Sequence, residues 1–249
     1  MNLTTNQQLR RYLWPCAGLL VLLVINAIIA PEFFAIEFKD GRFYGSLIDV
    51  LNRAAPVALL AIGMSLVIAT AGVDLSVGSI MAIAGAVSAY YITKGVDSLV
   101  LIIGAGLIAG LLAGIVNGFL VGYMSIQPIV ATLILMVGGR GIAQLINEGQ
   151  IVTFDHSGFA FLGTGSFLGL PFPVVLVIIT FALVQLLTRR TAWGLYIEAV
   201  GANPSASQYM GLNAKAIKLS VYTLAGVCAA LAGMIAAADI RGSDANNAG

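Results

Sequence analysis

Residues 99–124 read LVLIIGAGLIAGLLAGIVNGFLVGYM, an apolar stretch with a glycine at every fourth position from Gly106 to Gly122. A helix needs about 20 mostly apolar residues to cross a bilayer, so this stretch is long enough to span one. Within a membrane, small residues at this spacing let two helix backbones approach closely. We therefore predict a spanning helix that serves as a packing spine. Asn117 lies on it, where it either forms hydrogen bonds across a helix interface or lines a polar cavity.

The composition of the whole chain agrees with a membrane location. Hydrophobic residues make up 59% of the 249 residues and charged residues only 9%, whereas a soluble domain carries about 25% charged residues. Such a chain cannot cover a soluble surface with polar groups, so we predict an all-α, polytopic transmembrane helical bundle. The net charge of +1 provides no basic field for phosphates, which argues against a nucleic acid as partner.

Other apolar runs flank the spine on both sides, and together with it they predict about seven spans in a single domain, 1–249. They cover residues 14–30, 54–70, 75–93, 127–146, 172–188 and 216–238. Asn52 and Pro56 suit the cap and first turn of the run at 54–70. The segments 31–53 and 147–171 contain charged residues and are predicted to be aqueous. His156, in the second of these, is interpreted as a bystander rather than as a ligand or base.

A polar interruption precedes the run at 75–93, and it reads GVDLSVGS from Gly72 to Ser79. Asp74 could be the N-cap of a helix that begins at Leu75. The alternative is a polar break inside the membrane that lines a path, because irregular backbone at that depth survives only beside protein or water. The residues of this candidate translocation motif are Gly72, Asp74, Leu75, Ser76, Gly78 and Ser79.

Polar residues also occur in the run at 127–146, which contains Thr132, Arg140 and Gln144. A charge within a span is a functional-site hypothesis by default, because burying it in lipid is expensive. Arg140 lies six residues from the end of this run, so its long side chain could equally reach the interface. Together with Asn117, these three residues are our candidates for lining a pathway.

The segment between the last two runs, RRTAWGLYIEAVGANPSASQYMGLNAK from Arg189 to Lys215, reads as a short helix, a break at Gly201–Pro204 and a second helix start. If the amino terminus is cytoplasmic, six basic residues lie inside and four outside, which agrees with the positive-inside rule. The inside set is Arg10, Arg11, Arg189, Arg190, Lys215 and Lys218, and the outside set is Lys39, Arg42, Arg53 and Lys94. We therefore place residues 189–216 in the cytoplasm.

The sequence does not favour an intramembrane enzyme, which would need a convergent set of catalytic side chains or metal ligands. It holds one histidine, and that histidine is in a predicted loop. A secondary transporter or channel remains an alternative, with Asp74 or Arg140 as its coupling or filter group. That alternative does not explain why a cytoplasmic segment should be so structured.

Two motifs resemble the permease subunits of ribose-type sugar ABC importers: NRAAP at 52–56 leading into 72–79, and EAVGANP at 198–204 running on to Gly211. The resemblance implies a permease for galactofuranose or a related monosaccharide, not an enzyme, with no cofactor of its own. It also implies three partners, namely a second permease that is identical or homologous, a cytoplasmic ATP-binding subunit and a periplasmic sugar-binding protein. The residues that resemble the family's ATPase-coupling segment are Glu198, Ala199, Gly201, Asn203, Pro204, Ala206 and Gly211.

The resemblance also implies a bacterial inner membrane location, and the charge placement predicts a cytoplasmic amino terminus. Members of the family continue with further spans after the region that reads DANNAG in this sequence at 244–249. From this comparison we expect the later spans of the family to be missing from this chain.

Overall fold

The computed structural model describes residues 5–39 and 41–244. The side chains of Arg10 and Arg11, and the stretch at 245–249 where further spans are expected to follow, lie outside the described part. The structure is helical, in agreement with the predicted class. Its α-helices are α1 (Thr5–Ile29), α2 (Ser46–Ala69), α3 (Val77–Thr93), α4 (Leu99–Gly122), α5 (Pro128–Ile146), α6 (Ser157–Thr164), α7 (Phe172–Arg190), α8 (Ala192–Ala202), α9 (Pro204–Tyr209) and α10 (Ala214–Ile240).

Short antiparallel strand pairs occur in the connections, and each has two strands. They are β1 (Glu37–Lys39) with β2 (Arg42–Tyr44), β3 (Val152–Thr153) with β6 (Gly242–Ser243), and β4 (Ser166–Phe167) with β5 (Leu170–Pro171). The β3–β6 pair is the long-range one, since it joins the connection after α5 to the end of α10. It fixes the backbone at one end of α10.

The chain divides into two compact units, residues 1–51 and 52–249. The described part of the first unit contains α1, a 3-10 helix (Pro31–Phe34), the β1–β2 hairpin and the first turns of α2. In the hairpin, the rings of Phe38 and Phe43 lie opposite each other with centroids 5.0 Å apart. Cross-strand aromatic pairs of this kind stabilise short hairpins.

The second unit is built around α10, which packs against α4, α3 and α6. The close packing depends on small residues: a Cβ on Gly114 of α4 would lie 2.8 Å from the Cα of Thr223, and one on Gly118 would lie 2.8 Å from the Cα of Leu219. The glycines of the predicted spine therefore face α10, and the prediction that they serve close packing is confirmed.

Five of the described helices are long and apolar enough to cross a membrane: α2, α4, α5, α7 and α10. Two shorter apolar segments, Leu13–Ile29 within α1 and Val77–Thr93, correspond to the other two runs that the sequence predicted as spans. The described part of the chain thus contains seven apolar helical segments, five of which are long enough to cross a membrane.

The start of α2 differs from the prediction. The helix begins at Ser46 rather than near residue 54, so Asn52 and Pro56 lie inside it and do not form its cap and first turn. The Asn52 side chain instead donates from Nδ2 to the carbonyl oxygen of Gly163 at 3.3 Å. This long-range bond gives the Asn52 side chain a partner in α6. A polar side chain inside α2 therefore does not mark the end of that helix.

The connection at 147–171 is also more ordered than an aqueous loop. It contains α6, and the side chains of Phe154 and Phe159 are buried with their rings 5.5 Å apart. His156 is the N-cap of α6: its Nδ1 accepts from the Phe159 amide at 3.0 Å, and its Nε2 lies 3.3 Å from the Asp97 carbonyl oxygen. The histidine thus has a structural role that the sequence analysis missed.

Candidate functional site

The polar interruption between α2 and α3 is the first part of the candidate site. The Asp74 side chain is only 2% exposed, and its Oδ1 accepts from the Ser76 amide at 2.8 Å and from the Ser76 hydroxyl at 2.6 Å. The Ser76 hydroxyl in turn accepts from Nδ2 of Asn117 at 2.7 Å. Three buried polar side chains, one of them from α4, therefore form one hydrogen-bonded chain.

This network leaves two buried acceptor atoms open. Among the described residues, neither Oδ2 of Asp74 nor Oδ1 of Asn117 has a hydrogen-bond partner. A buried acceptor without a partner costs free energy. The cluster can therefore accept a donor from a water molecule or from a group that enters the bundle.

The prediction that Asp74 caps a helix beginning at Leu75 is wrong. The α3 helix begins at Val77, with Ser76 in the N-cap position, and the Asp74 carboxylate binds the amide two residues ahead of it. Asp side chains often stabilise a turn in this way and so compete with helix formation. The interruption from Thr70 to Ser76 is therefore non-helical, as the alternative interpretation required, and its role in lining a path stays a prediction.

Ser79 connects the start of α3 to α5. Its hydroxyl lies 2.8 Å from the Ser76 carbonyl oxygen and 3.0 Å from the Leu135 carbonyl oxygen, and the serine is 1% exposed. Of the other motif residues, Leu75 is 40% exposed and Gly78 is half-buried in the first turn of α3. The polar side chains of the motif thus point into the bundle, and the leucine does not.

Tyr222 of α10 completes the surroundings of the interruption. Its hydroxyl donates to the Val73 carbonyl oxygen at 3.0 Å, and the residue is fully buried. A Cβ on Gly72 would lie 2.6 Å from this hydroxyl and 3.1 Å from Cγ1 of Val67, so the position has no room for a side chain. Tyr222 was not among the site residues predicted from the sequence, although its hydroxyl in an otherwise apolar run needs a partner and was a usable signal.

The second part of the candidate site is the segment after α7. The predicted short helix, break and second helix start are confirmed: α8 ends at Ala202, Asn203 is extended, and α9 begins at Pro204. Oδ1 of Asn203 accepts from the Ala206 amide at 2.9 Å and so caps α9. The break arises because this cap and the proline at the first helical position both favour a new helix start.

The surface of this segment is exposed and partly apolar. Tyr209 and Met210 are 94% and 83% exposed at the end of α9, where Gly211 follows with a φ of +83° that favours glycine. The other coupling candidates, apart from the half-buried Ala199 and Gly201, are exposed as well: Glu198, Asn203, Pro204 and Ala206. Adjacent exposed aromatic and methionine side chains are typical of a protein interface.

The two parts of the site meet at the end of α2. A Cβ on Gly201 would overlap the carbonyl oxygen of Ala69, the last residue of α2, and would lie 3.4 Å from the Cα of Thr70. Near the start of α8, Nε1 of Trp193 donates to the Ser220 hydroxyl of α10 at 2.9 Å. The exposed segment is therefore attached directly to the backbone that leads into the Asp74 interruption.

The other candidates for lining a pathway do not join the Asp74 network within the described part of the chain. Thr132 is fully buried, but its hydroxyl donates to the Pro128 carbonyl oxygen of its own helix at 2.8 Å. Arg140 is half-buried without an ion pair among the described residues, and Gln144 is exposed. Of the four candidates, Asn117 is the one that the structure brings to Asp74.

Comparison with known proteins relates the chain to transport components. A family model described as "Branched-chain amino acid transport system / permease component" matches residues 46–249. The chain is 54% identical over 248 residues to the galactofuranose transporter permease protein YtfT of Escherichia coli K12, covering 96% of this chain and 72% of that protein.

Two further relatives are import permeases for other sugars. The fructose import permease protein FruF of Bifidobacterium longum is 39% identical, over 93% of this chain and 66% of its own length. The ribose import permease protein RbsC of Haemophilus influenzae is 34% identical, over 94% of this chain and 72% of its own length. No solved structure matches the chain significantly.

Proposed function

Because the chain belongs to the family of branched-chain amino acid transport system permease components, we propose that it is the membrane-spanning permease subunit of an ATP-driven sugar importer. Its relatives and its apolar helices identify it as an integral protein of the inner membrane. A permease subunit is not itself an enzyme, so ATP hydrolysis belongs to another subunit.

A monosaccharide is the proposed substrate. The similar proteins are named for galactofuranose, fructose and ribose, and the galactofuranose permease has the highest identity of these three. The buried Asp74–Ser76–Asn117 network offers hydroxyl, amide and carboxylate groups, which are the groups that bind sugar hydroxyls. We therefore propose galactofuranose or a closely related sugar as the substrate.

A permease of an ABC importer has ATP-binding and substrate-binding partners in general. For this chain we propose a cytoplasmic amino terminus, a second permease that is identical or homologous, and a periplasmic sugar-binding protein. The basic residues at the carboxyl-terminal end of α7 and at the start of α10 support this orientation, since they would then lie inside.

The proposed coupling site is α8 with α9. Its exposed surface, with Glu198, Tyr209 and Met210, would dock on the ATP-binding subunit. The observation that carries the proposal is the contact of Gly201 with the end of α2, because it connects a surface suited to a partner with the backbone that leads to Asp74. Movement of α8 would therefore displace the interruption between α2 and α3.

Alternating access follows if the ATP-binding subunits bind the two conformations of the permease differently, since a partner can shift an equilibrium only through such a difference. In one conformation the α8 contact holds the end of α2 as seen here. In the other, the interruption moves and the open acceptors of Asp74 and Asn117 become accessible to the sugar.

Co-purification tests the proposal. The tagged protein should retain an ATP-binding subunit when it is extracted from the membrane in mild detergent. Replacing both Tyr209 and Met210 by serine should release that subunit, whereas the control change Leu168→Ser, at an exposed leucine in the β4–β5 turn, should not. Equal retention by all three proteins would contradict docking at α9.

A further inference from the structure

A cavity of about 210 Å³ lies where three long helices end beside α9. Its walls come from the end of α4, the connection that leads into α5, α9 itself and the start of α10. The walls of the cavity include Gly122, Pro128, Gln208 and Lys215. It is separate from the Asp74 network, which shares none of its lining residues.

The chemistry of the cavity suits an anion. Lys215 and Lys218 line it one helical turn apart, and the side chains of Ser125, Gln127 and Gln208 add hydrogen-bond donors. None of the described residues in its lining is acidic. Neither lysine forms an ion pair within the described part of the chain, so both positive charges are free to bind a ligand.

The position of the cavity indicates where the anion comes from. The helices α4, α5 and α10 are each long and apolar enough to span a bilayer, and their ends at this cavity therefore lie at the level of the lipid headgroups. Basic pockets between transmembrane helices at that level bind anionic headgroups. Free phosphate offers the same chemistry, but a headgroup is held at this depth by its acyl chains.

We propose that this cavity binds the phosphate of an anionic phospholipid headgroup, with Lys215 and Lys218 as its cationic contacts. The inference goes beyond the transport function, since it concerns neither the sugar nor ATP. A bound lipid lies between the start of α10 and α9, and it stabilises the attachment of the coupling segment to the bundle.

The test is a titration of the purified protein in neutral detergent with phosphatidylglycerol, using the midpoint of thermal unfolding as readout. We expect the midpoint to rise with phosphatidylglycerol and not with phosphatidylcholine. Each lysine near the surface strengthens binding by about fivefold, so the double change Lys215→Gln and Lys218→Gln should weaken the apparent affinity by roughly thirtyfold. Lys94→Gln, at the exposed C-cap lysine of α3, is the matched control and should leave the apparent affinity unchanged.

Further arms of the titration decide the source of the anion. Added salt should weaken the effect of phosphatidylglycerol on the unaltered protein. This arm does not depend on whether the lysine variants fold. An equal effect of inorganic phosphate alone would overturn the proposal in favour of a free anion site, and an equal effect of phosphatidylcholine would overturn it outright.

A protein ligand for the lysines is the remaining outcome. If phosphatidylglycerol has no effect and the double variant loses the ATP-binding subunit on purification, the lysines contact that subunit and the lipid proposal is wrong. Because the titration uses no sugar and no ATP, its failure would leave the proposed transport function standing.

Discussion

Asp74 receives both of its hydrogen bonds on one carboxylate oxygen, and both come from Ser76. Asp74→Asn keeps an oxygen in that place, so we expect its thermal stability in detergent to stay near that of the unaltered protein. Asp74→Ala leaves the buried Ser76 amide without its acceptor, which should cost about 1–3 kcal/mol of stability. Thermal unfolding of the two variants measures the difference.

Sugar uptake by the same pair separates a structural role from a role in the pathway. If the carboxylate oxygen serves to hold the turn, Asp74→Asn transports normally while Asp74→Ala assembles poorly. A stable Asp74→Asn protein that no longer transports would show instead that the charge itself is needed.

Gly201 is the residue on which the proposed coupling depends. A methyl group there overlaps the carbonyl oxygen of Ala69, and overpacking of this kind costs about 1–3 kcal/mol. We expect Gly201→Ala to insert normally but to uncouple ATP hydrolysis from sugar uptake, because α8 must move away from α2. The measurement is the ratio of sugar taken up to ATP hydrolysed in proteoliposomes.

Gly138→Ala is the matched control for that experiment. Gly138 also lies in a helix, but a Cβ there has nothing within 4 Å. The ratio of sugar taken up to ATP hydrolysed should therefore stay unchanged in this variant. Normal coupling in Gly201→Ala would contradict the role assigned to the contact with α2.

The contacts of individual residues were the part of the structure that the sequence predicted least well. The motif 72–79 stands out because polar residues interrupt apolar runs, yet the bond from Tyr222 to Val73 spans 149 positions and no local pattern indicates its partner. The contact of Gly201 with Ala69 is missed for the same reason. Spacing along the chain reports which face of a helix a residue occupies, and it does not report which distant backbone that face meets.

At the scale of the element, α4 supplies a direct test of the packing spine. A Cβ on Gly114 would lie 2.5 Å from the Tyr222 carbonyl oxygen, whereas one on Gly104 of the same helix would have nothing within 4 Å. Gly114→Ala should therefore lower the thermal stability, by about 1–3 kcal/mol for overpacking. Gly104→Ala should be neutral or slightly stabilising, because alanine favours a helix more than glycine does.

The outcome that would contradict this account is equal stability of the two alanine variants. In that case α4 and α10 could separate enough to accept a methyl group, and the glycines would not set the distance between the helices.

The bond from Asn117 to Ser76 attaches α4 to the interruption, and a double-mutant cycle measures it. Hydrogen bonds between side chains in membrane proteins average about 0.6 kcal/mol, so Ser76→Ala and Asn117→Ala should show a coupling energy of that size in thermal unfolding. Ser76→Ala with Thr132→Ala is the control cycle, since Thr132 binds within its own helix. Equal coupling in both cycles would argue against a specific bond.

The helices themselves were predictable because their apolar runs are long. The bounds of α5 at 128–146 agree with the sequence to within one residue, and the break between α8 and α9 falls within the predicted Gly201–Pro204. The two errors at helix starts have different causes: Asn52, inside α2, bonds to the distant Gly163 of α6, whereas Asp74 closes a local turn with Ser76. A polar residue in an apolar run therefore indicates a helix end only when no neighbouring helix or strand offers its side chain a hydrogen-bond partner.

At the scale of the whole molecule, one described unit connects an exposed segment, α8 with α9, to a buried polar network through the end of α2. Composition and charge predicted the membrane location, and the family motifs predicted the transport role. The contacts that connect the two sites could be identified only from the three-dimensional structure, because they join residues that lie far apart in the sequence.

Sugar uptake into proteoliposomes that contain this protein, its ATP-binding subunit and its sugar-binding protein tests the central claim most directly. We expect uptake of radiolabelled galactofuranose, or of a closely related sugar, that requires both ATP and the sugar-binding protein and that is unaffected by proton or sodium gradients. Uptake by the protein without the ATP-binding subunit, driven by an ion gradient, would contradict it.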